Sequence, residues 1–445
     1  MVGPAKMTEE HNLNYKKIFF FWAPLAATWL MMSFEGPFLT AIIARMVEPK
    51  FNLAAYGVAF SFAIIIEAPV IMIMSAATAL VKGEKSYRKL RNFTYFANLA
   101  ITVVMLIFVI PPVFNYISID LIGLPERVAH LTHVSTIILL PWPGAIGYRR
   151  FYQGVMIKQN QTRKVAYGTV IRLITMTVTA VILYYGYNLE GAYVGAAALT
   201  AGVVFEGIAS KIMSVKSVRE IRSNRAETSE LSYKEIYNFY YPLALTSMIG
   251  LGVHPMVTFF IGQSRMSLES LAVLPVINSL VFIFRSFGLS YQEVAIAMMG
   301  EKWQGYHKLK NFGFVVGGAV VLLLGILAIT PLSSLWFHSV SGLSAELTNF
   351  ALLPLMLMVI LPGLTFLISF QRAILVNARN TKPITYGTAS EVIGIILVLF
   401  ISIKYFDLVG AVAAAVAYMV GRIAANIYLS FSYAKAVRDF VSPKE

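Results

Sequence analysis

Long apolar stretches alternate with short polar loops along the whole chain. Each stretch is about 20 residues or longer, the length that a helix needs to cross the hydrocarbon core of a bilayer. The pattern therefore predicts twelve membrane-spanning helices, six in each half. They cover about residues 16–46, 53–81, 93–115, 129–157, 165–187 and 191–212, and then 236–263, 270–299, 312–333, 348–375, 384–403 and 409–432.

The two halves repeat the same pattern of side chains. Tyr15–Thr40 recurs as Tyr233–Thr258 at an offset of 218 residues, and Tyr167–Thr169 recurs as Tyr386–Thr388 at an offset of 219. A duplicated membrane unit of this length is typical of transporters. Because six spans is an even number, both units insert with the same orientation. Parallel repeats of this kind form two lobes around a central cavity.

The repeat divides the chain into two lobes and a connection. Residues 1–212 are predicted to form an N-lobe, and residues 233–445 a C-lobe. Residues 213–232 are the most polar segment and are predicted to be a cytoplasmic linker, which could include an amphipathic surface helix. The predicted fold class is an all-α integral membrane protein with two six-helix parallel repeats.

Composition and charge agree with a membrane protein and orient it. With 58% hydrophobic residues, 13% charged residues and a mean hydropathy of +0.71, the chain is far too apolar for a soluble domain. Basic residues concentrate in alternate loops, so the positive-inside rule places both termini in the cytoplasm, and a plasma membrane, in bacteria the inner membrane, is the expected location. The net charge of +14 is mostly this topology signal. Nucleic-acid binding is not expected, because the basic residues are dispersed over several loops.

Catalytic chemistry has little support in the sequence. There is no cysteine, the three aspartates lie in loops or the tail, and the HExxH, GxSxG and P-loop spacings are absent. His130 and His133 have a metal-like spacing without a third ligand nearby. We therefore expect neither an enzyme nor a bound metal cofactor. The expected energy source is an ion gradient or the substrate's own gradient.

Three short motifs resemble those of the multidrug/oligosaccharidyl-lipid/polysaccharide (MOP) exporter superfamily, which includes the MATE pumps. They are Ile122–Glu126 before the fourth span, Arg150–Gly154 at its end, and Leu189–Ala196 at the start of the sixth. Together with the six-plus-six repeat, the resemblance covers nearly the whole chain. It implies a MATE-like fold that works by alternating access, with one lobe rocking against the other.

Within this superfamily the chain looks most like the progressive ankylosis protein group. Phe34–Glu35, Leu53–Ser61 and Tyr241–Leu245 carry that resemblance, which implies an anionic substrate. The acidic residue that many MATE pumps carry in the seventh span is absent, because Val253 occupies the position that the repeat aligns with Glu35. This departure counts against drug or cation antiport.

Charged residues inside the spans carry the functional argument, since each is costly in a bilayer unless it faces a wet cavity or a partner. Glu35 lies in the first span beside Gly36 and Pro37, which can open the helix and free backbone carbonyls. A carboxylate beside free carbonyls can bind Na⁺, or it can titrate when desolvated. The alternative is a structural carboxylate that a neighbouring Ser, Thr or Arg satisfies.

Two repeat-related positions exchange the sign of their charge between the lobes. Glu67 in the second span aligns with Arg285 in the eighth, and Arg172 in the fifth aligns with Glu391 in the eleventh. One hypothesis pairs them across the cavity, Glu67 with Arg285 and Arg172 with Glu391, with the arginines forming an anion site when the pairs part. The alternative keeps the pairs within each lobe, as Glu35 or Glu67 with Arg172, and Arg285 with Glu391.

Two further ionisable residues are candidates for substrate binding or ion coupling. His254 precedes Pro255 at a second expected helix break and could titrate near neutral pH. Glu293 lies toward the cytoplasmic half of the eighth span, where the ankylosis-type pattern also has a Glu. The remaining charges near the span ends are interpreted as anchors that snorkel to the interface: Arg149, Arg150, Glu206, Lys211 and Arg422.

These observations favour a secondary active exporter of small organic or phosphate-bearing anions, coupled to H⁺ or Na⁺ through Glu35 or Glu67. Two alternatives share the fold, a MATE-type multidrug or cation antiporter and a flippase for lipid-linked precursors. A channel or a non-transporting membrane scaffold is the alternative of another class. The expected partners are a small-molecule substrate and the lipid bilayer, and the protein is expected to act as a monomer.

Overall fold

The chain is almost entirely helical in a computed structural model that describes residues 13–159, 161–223, 231–300, 303–378 and 380–440. Within these residues, eleven helical stretches are long and apolar enough to cross a membrane. The remaining predicted span, the fourth, is the helix pair Glu126–Ile138 and Pro141–Lys158, which is not among these eleven. Its counterpart in the second half, Ala345–Asn377, is among the eleven. The hydropathy of this span therefore differs between the halves, while the architecture is the same.

The first half contains spans 1 to 6. Three of these spans are divided into two helices, and short helices connect some of the others. In chain order, span 1 is α1 (Tyr15–Ser33) with α2 (Glu35–Ile43), span 2 is α3 (Pro49–Glu67) with α4 (Ile73–Leu80), span 3 is α5 (Glu84–Phe108), a connection is α6 (Pro111–Asn115) with a π-helical turn (Tyr116–Leu121), span 4 is α7 (Glu126–Ile138) with α8 (Pro141–Lys158), span 5 is α9 (Thr162–Gly186), span 6 is α10 (Gly191–Met213), and α11 (Val215–Ser223) follows.

The second half reproduces this order, including a π-helical turn between its third and fourth spans. The π-helical turns and the breaks in spans 1 and 4 have therefore been duplicated, whereas span 8, unlike span 2, is one continuous helix. Span 7 is α12 (Tyr233–Leu251) with α13 (Val253–Gly262), span 8 is α14 (Ser267–Met298), span 9 is α15 (Tyr306–Ile329), the connection is α16 (Leu332–Ser334) with a π-helical turn (Leu335–Val340), span 10 is α17 (Ala345–Leu357) with α18 (Leu361–Asn377), span 11 is α19 (Lys382–Lys404), and span 12 is α20 (Gly410–Phe440).

Spans 1 and 7 break at repeat-related residues, Phe34 and Gly252. A proline three residues beyond each break, Pro37 or Pro255, lies in the first turn of the following helix. A proline is tolerated there because the first turn has no use for its missing N–H, but it cannot extend the preceding helix. The predicted breaks beside Glu35 and His254 are confirmed.

At one end of the bundle, which we call the far end, the two halves pack tightly together. The basic loops, the last turn of α20 and the start of α1 lie at the other end, the basic end. Near the far end, a Cβ on Gly57 would approach Pro275 to 2.6 Å, and one on Gly36 would approach Ser279 to 2.8 Å. Only glycine allows spans 1 and 2 to approach span 8 this closely.

At the basic end, the first helix of each half crosses to the other half. α1 packs on α14 and α15, and the indole of Trp22 donates a 2.9 Å hydrogen bond to Ser290. In the opposite direction α12 packs on α4 and α5 as well as on α19, and the Tyr240 hydroxyl donates to the Pro69 carbonyl. Spans 1 and 7 therefore link the lobes by packing, whereas the sequence boundaries at residues 212 and 233 stay predictions. Residues 224–230 of the predicted linker lie outside the described residues.

Candidate functional site

A cluster of charged side chains is buried between spans 1, 2, 4, 5 and 6. At its centre Glu206 is fully buried and contacts Arg149 directly, accepts a 3.1 Å hydrogen bond from Gln153, and lies 3.5 Å from the Arg172 Nε. Arg172 also donates from its other end to Glu35. We call this group the N-lobe charge cluster; its members are Glu35, Glu67, Arg149, Arg150, Gln153, Arg172 and Glu206.

Glu67 is the least satisfied member of the N-lobe charge cluster. It is 5% exposed, and its Oε2 has no hydrogen-bond partner among the described residues. The charges that act on it most strongly belong to Arg150, Arg149 and Arg172. Glu67 is also the last residue of α3, where the dipole of the helix disfavours a negative charge. Its charge is therefore balanced by arginines at a distance, without a direct ion pair within the described residues.

A second cluster lies between spans 8, 10, 11 and 12. Arg422 and Glu391 form a 2.7 Å ion pair, and Arg285 interacts electrostatically with both. Arg372 donates a 3.2 Å hydrogen bond to Thr388 and is also within the field of the pair. We call Arg285, Arg372, Glu391 and Arg422 the C-lobe charge cluster. It holds three arginines against one carboxylate, whereas the N-lobe charge cluster is balanced.

The pairs form within each lobe, and the N-lobe pair is the one that the second sequence-based alternative names, whereas its C-lobe pair of Arg285 with Glu391 is replaced by Arg422 with Glu391. Glu35 is the partner of Arg172, and Glu391 is the partner of Arg422. Neither pairing across the cavity, Glu67 with Arg285 or Arg172 with Glu391, occurs in the described chain in this conformation. The exchanged positions place one acid and one base in each cluster, so the difference in net charge comes from the other members, chiefly Arg372 and Arg422 in the C-lobe.

The interpretation of Arg149, Arg150, Glu206 and Arg422 as interfacial anchors was wrong. Glu206 is 0% exposed and Arg149 4%, and both belong to the N-lobe charge cluster. A signal for this was present, because Glu206 shares a helical face with the small residues Gly195 and Gly202, which precede it by eleven and four residues. A charge on the small-residue face of a membrane helix points to helix packing and away from the headgroups.

The other two sequence candidates take different positions. His254 is half-buried one residue into α13 and lies within electrostatic reach of Arg285, so it adjoins the C-lobe charge cluster. Glu293 is exposed on α14 toward the basic end, apart from both clusters. Among the described residues Glu293 has no ion-pair partner.

Polar contacts seal the far end between the lobes. Lys50 of α3 and Glu269 of α14 form a 2.5 Å ion pair, and Arg45 donates to the carbonyls of Ser339 and Val340 at 2.6 and 2.8 Å. These contacts link the two halves, so they must break before the far end can open. We call this group the far-end seal.

A neighbouring network braces the N-lobe side of this end. Arg127 contacts Glu48 at 2.7 Å and Glu190 at 2.5 Å, and Asn52 donates to Glu190 at 2.9 Å. Burial alone would raise the pKa of Glu190, but the hydrogen bonds from Asn52 and Arg127 outweigh it and lower the pKa below its usual value. The network is therefore fully charged at neutral pH and loses its contribution only in acid, as Glu190 becomes protonated.

Replacing Lys50 with Gln should favour opening of the far end by roughly fivefold, because a partly exposed ion pair contributes about 1 kcal/mol. The chain has no cysteine, so Ile119→Cys and Leu332→Cys give two unique spin-label sites at the far end of the two lobes. Pulsed electron paramagnetic resonance should show a larger population at long distances between the two labels for Lys50→Gln than for the parent. Lys216→Gln, which breaks the exposed pair with Glu220 at the basic end, should leave the distance distribution unchanged. An unchanged distribution for Lys50→Gln as well would show that the far-end seal does not hold this end closed.

Comparison with known proteins agrees with this architecture. The MatE family model matches residues 24–182, from span 1 into span 5. The chain is similar to an inward-facing multidrug resistance MATE family transporter of the MOP superfamily, with a TM-score of 0.73 and 14% identity over 95% of this chain and 100% of that one. The lipid II flippase MurJ in an inward closed conformation gives a TM-score of 0.70 and 15% identity over 95% and 91%. No curated protein sequence matches the chain significantly.

The chain has the MATE fold. A third similar structure is a MOP superfamily transporter from Pyrococcus furiosus whose binding pocket has reverse polarity, with a TM-score of 0.61 and 14% identity over 95% of this chain and 96% of that one. The MATE fold confirms the predicted all-α membrane class with two six-helix repeats around a central cavity. Because the sequence identities to these structures are only 14–15%, the fold does not define the substrate, which has to be argued from the side chains.

Proposed function

We propose that the protein is a secondary active exporter of small organic or phosphate-bearing anions that works by alternating access. The observation that carries this proposal is the composition of the C-lobe charge cluster, in which Arg285, Arg372 and Arg422 face the single carboxylate of Glu391. Excess positive charge in a membrane interior is costly unless an anion neutralises it. The Nε atoms of all three arginines lack hydrogen-bond partners among the described residues, so the cluster has donors to spare for an anionic ligand.

The N-lobe charge cluster suits the coupling ion. Its three arginines balance three carboxylates, and Glu67 combines burial with an unpartnered oxygen. A proton on Glu67 would leave the cluster with net positive charge and would change the balance between the two conformations. Coupling by H⁺ through Glu67 is therefore the version that we favour.

Sodium at Glu35 fits the residues less well. The Arg172 guanidinium already contacts the Glu35 carboxylate, in the place that a cation would take. The Thr40 hydroxyl donates to the Gly36 carbonyl at 2.9 Å and approaches the Pro37 carbonyl at 3.2 Å, so the break frees fewer oxygens than the sequence suggested. A Na⁺ site here would first have to displace Arg172.

The transport cycle follows from the two ends of the molecule. The far-end seal is closed here, and with the termini in the cytoplasm, in the plasma (bacterial inner) membrane, the cavity would open to the cytoplasm. An anion would enter there and bind at the C-lobe charge cluster, after which the lobes would rock and break the far-end seal. An inside-negative potential helps release, since about 2.3 kcal/mol is gained per elementary charge per 100 mV. Resemblance to the progressive ankylosis group also supports an anionic substrate.

Two other functions have specific support. The MatE match and the multidrug MATE neighbour favour a drug or cation antiporter, and the MurJ neighbour favours a flippase for lipid-linked precursors. The charge balance of the C-lobe distinguishes them, because a cationic drug would be repelled by three arginines. A lipid-linked pyrophosphate shares the anionic chemistry, so only the presence of its lipid tail separates a flippase substrate from a small anion.

The variant Glu67→Gln tests the coupling. In proteoliposomes, the parent should transport an anion several-fold faster under an imposed pH gradient, and Glu67→Gln should transport at one rate with or without the gradient. Glu84→Gln, which alters an exposed carboxylate paired with Arg88, is the matched control and should keep the response. A full pH response in Glu67→Gln would contradict proton coupling at this residue, and a response to Na⁺ alone that Glu35→Gln removes would assign the coupling to Glu35.

A further inference from the structure

A groove of about 540 Å³ runs along the outer surface of the N-lobe, between spans 3, 4 and 6. Its walls are largely apolar, and Leu99 and Ile208 on its rim are 63% and 50% exposed, as expected for side chains that face lipid. Tyr95 and Tyr148 lie at its outer end, which is nearer to the basic end of the bundle. Thr102 and Pro141 lie at its inner end, which is nearer to the middle of the bundle. From Tyr95 to Thr102 the helix rises about 10 Å, enough for a good part of an acyl chain.

Three cations surround the outer end of this groove, at the basic end of the bundle. Lys211 Nζ lies 5.7 Å from the centre of the Tyr148 ring and 5.1 Å from that of Tyr152. The Arg91 guanidinium lies 5.8 Å from the ring of Tyr95. Arg222 lies 5.4 Å from the ring of Tyr87, which Arg91 also contacts. We call Arg91, Lys211 and Arg222 the cation triad.

The tyrosine rings hold the cation triad in place without neutralising it. The hydroxyls of Tyr95 and Tyr152 share a 2.8 Å hydrogen bond, and the rings of Tyr95 and Tyr148 stack at 6.0 Å. No member of the cation triad forms an ion pair with a described carboxylate. A positively charged, partly ordered site at the headgroup level is therefore left without a negative partner from the described chain.

The duplication has kept an equivalent groove in the other lobe. It has a volume of about 350 Å³ between spans 9 and 10, and its lining repeats the first groove at an offset of 219, with Phe314 in the place of Tyr95 and Gly363 in that of Gly144. Lys310 lines its outer end at the position equivalent to Arg91. An apolar groove with a cation at its basic end is thus a feature of the repeated unit and occurs twice in the described chain.

We propose that the groove between spans 3, 4 and 6 is a binding site for a membrane glycerophospholipid with a negatively charged headgroup. One acyl chain would lie against Leu99, Thr102 and Ile208, and the phosphate would contact Arg91 and Lys211, with Arg222 completing the charge complementarity. The groove alone would accept the acyl chain of any lipid, and the cation triad alone would accept any anion. Together they match a lipid that has both an acyl chain and a negatively charged headgroup. This site lies on the outer surface of the lobe and is independent of the proposed transport function.

The site is tested by native mass spectrometry of the whole protein released from mixed phosphatidylglycerol and phosphatidylcholine with identical acyl chains. The parent should retain phosphatidylglycerol in preference, and Arg91→Gln with Lys211→Gln should reduce that preference about tenfold or more, since each cation near an anionic headgroup contributes roughly fivefold. Lys216→Gln, which removes an exposed cation at the same end, is the matched control and should keep the preference. Lys211→Arg should keep it as well.

A second variant separates this groove from other lipid contacts. A Cβ on Gly207 would meet nothing closer than 3.6 Å, so Gly207→Leu can fold while its side chain fills the groove, and it should lose the retained phosphatidylglycerol. On the parent alone, phosphatidylglycerol should raise the unfolding temperature more than phosphatidylcholine does. Equal retention and equal stabilisation by the two lipids would overturn the proposal, as would undiminished phosphatidylglycerol retention by Gly207→Leu.

Discussion

Replacing Arg285 with Ala is expected to lower the rate of anion transport by roughly tenfold or more while the protein stays folded. A hydrogen bond to a charged group contributes about 1.5–3 kcal/mol, and each 1.4 kcal/mol is a factor of ten in binding. Arg285 differs from the other two arginines of the C-lobe charge cluster, because among the described residues its side chain has no ion pair or hydrogen bond, and its largest electrostatic interactions are with Arg422 and Glu391. Its charge is therefore the one most available to a substrate.

The controls for Arg285 follow from its surroundings. Arg285→Lys should recover part of the rate, since it restores the charge without the planar donor group. Arg265→Ala removes an exposed arginine whose contact with Asp407 is long, at 3.8 Å, and should transport like the parent. The initial rate of labelled anion uptake into proteoliposomes is the measurement. If Arg285→Ala transports an anion at the parental rate, or if Glu67→Gln lowers anion transport more than Arg285→Ala does, the anion site has been misplaced.

Replacing Glu206 with Ala is expected to be the most destabilising single change in the N-lobe. The side chain is fully buried and is shared by Arg149, Arg172 and Gln153. Removing one partner of a buried ion pair costs about 3–5 kcal/mol, because the remaining charge stays in a low-dielectric interior. The unfolding temperature in detergent, followed by tryptophan fluorescence, should fall well below that of the parent.

A double variant distinguishes an unpaired charge from a simple packing defect. Glu206→Gln with Arg149→Met removes both charges of the contact and should recover much of the lost stability, since replacing a whole buried pair by neutral groups is often tolerated. Glu220→Ala, at an exposed residue paired with Lys216, should leave the unfolding temperature unchanged. Equal losses in Glu206→Ala and in the double variant would show that Glu206 acts through its volume and not through its charge.

The spans, the repeat and the broken helices could be predicted from the sequence because each depends on local properties. Apolar length sets the spans, an even number of spans sets the parallel repeats, and Pro37 and Pro255 set the breaks. The ionisable residues at the two clusters could also be selected, since Glu67, Arg172, Arg285 and Glu391 stand out against apolar neighbours.

Their partners could not be predicted, because pairing depends on how each span is rotated. In a membrane protein both the lipid-facing and the helix-facing sides are apolar, so hydrophobic periodicity does not fix the rotation. Arg172 therefore had several candidate carboxylates, and its pairing with Glu35 and Glu206 appears only when spans 1, 5 and 6 are packed together. The packing of α1 on spans 8 and 9 could not be predicted from the sequence either, since it depends on tertiary contacts such as that of Trp22 with Ser290.

The measurement that tests the central claim most directly is counterflow in proteoliposomes that contain the parent protein, offered labelled citrate, pyrophosphate or a nucleotide beside a cationic dye, under an imposed pH or Na⁺ gradient. An anion exporter should exchange at least one of the anions and leave the dye outside. Movement of the dye without movement of any anion would contradict the proposal and would assign the protein to multidrug antiport.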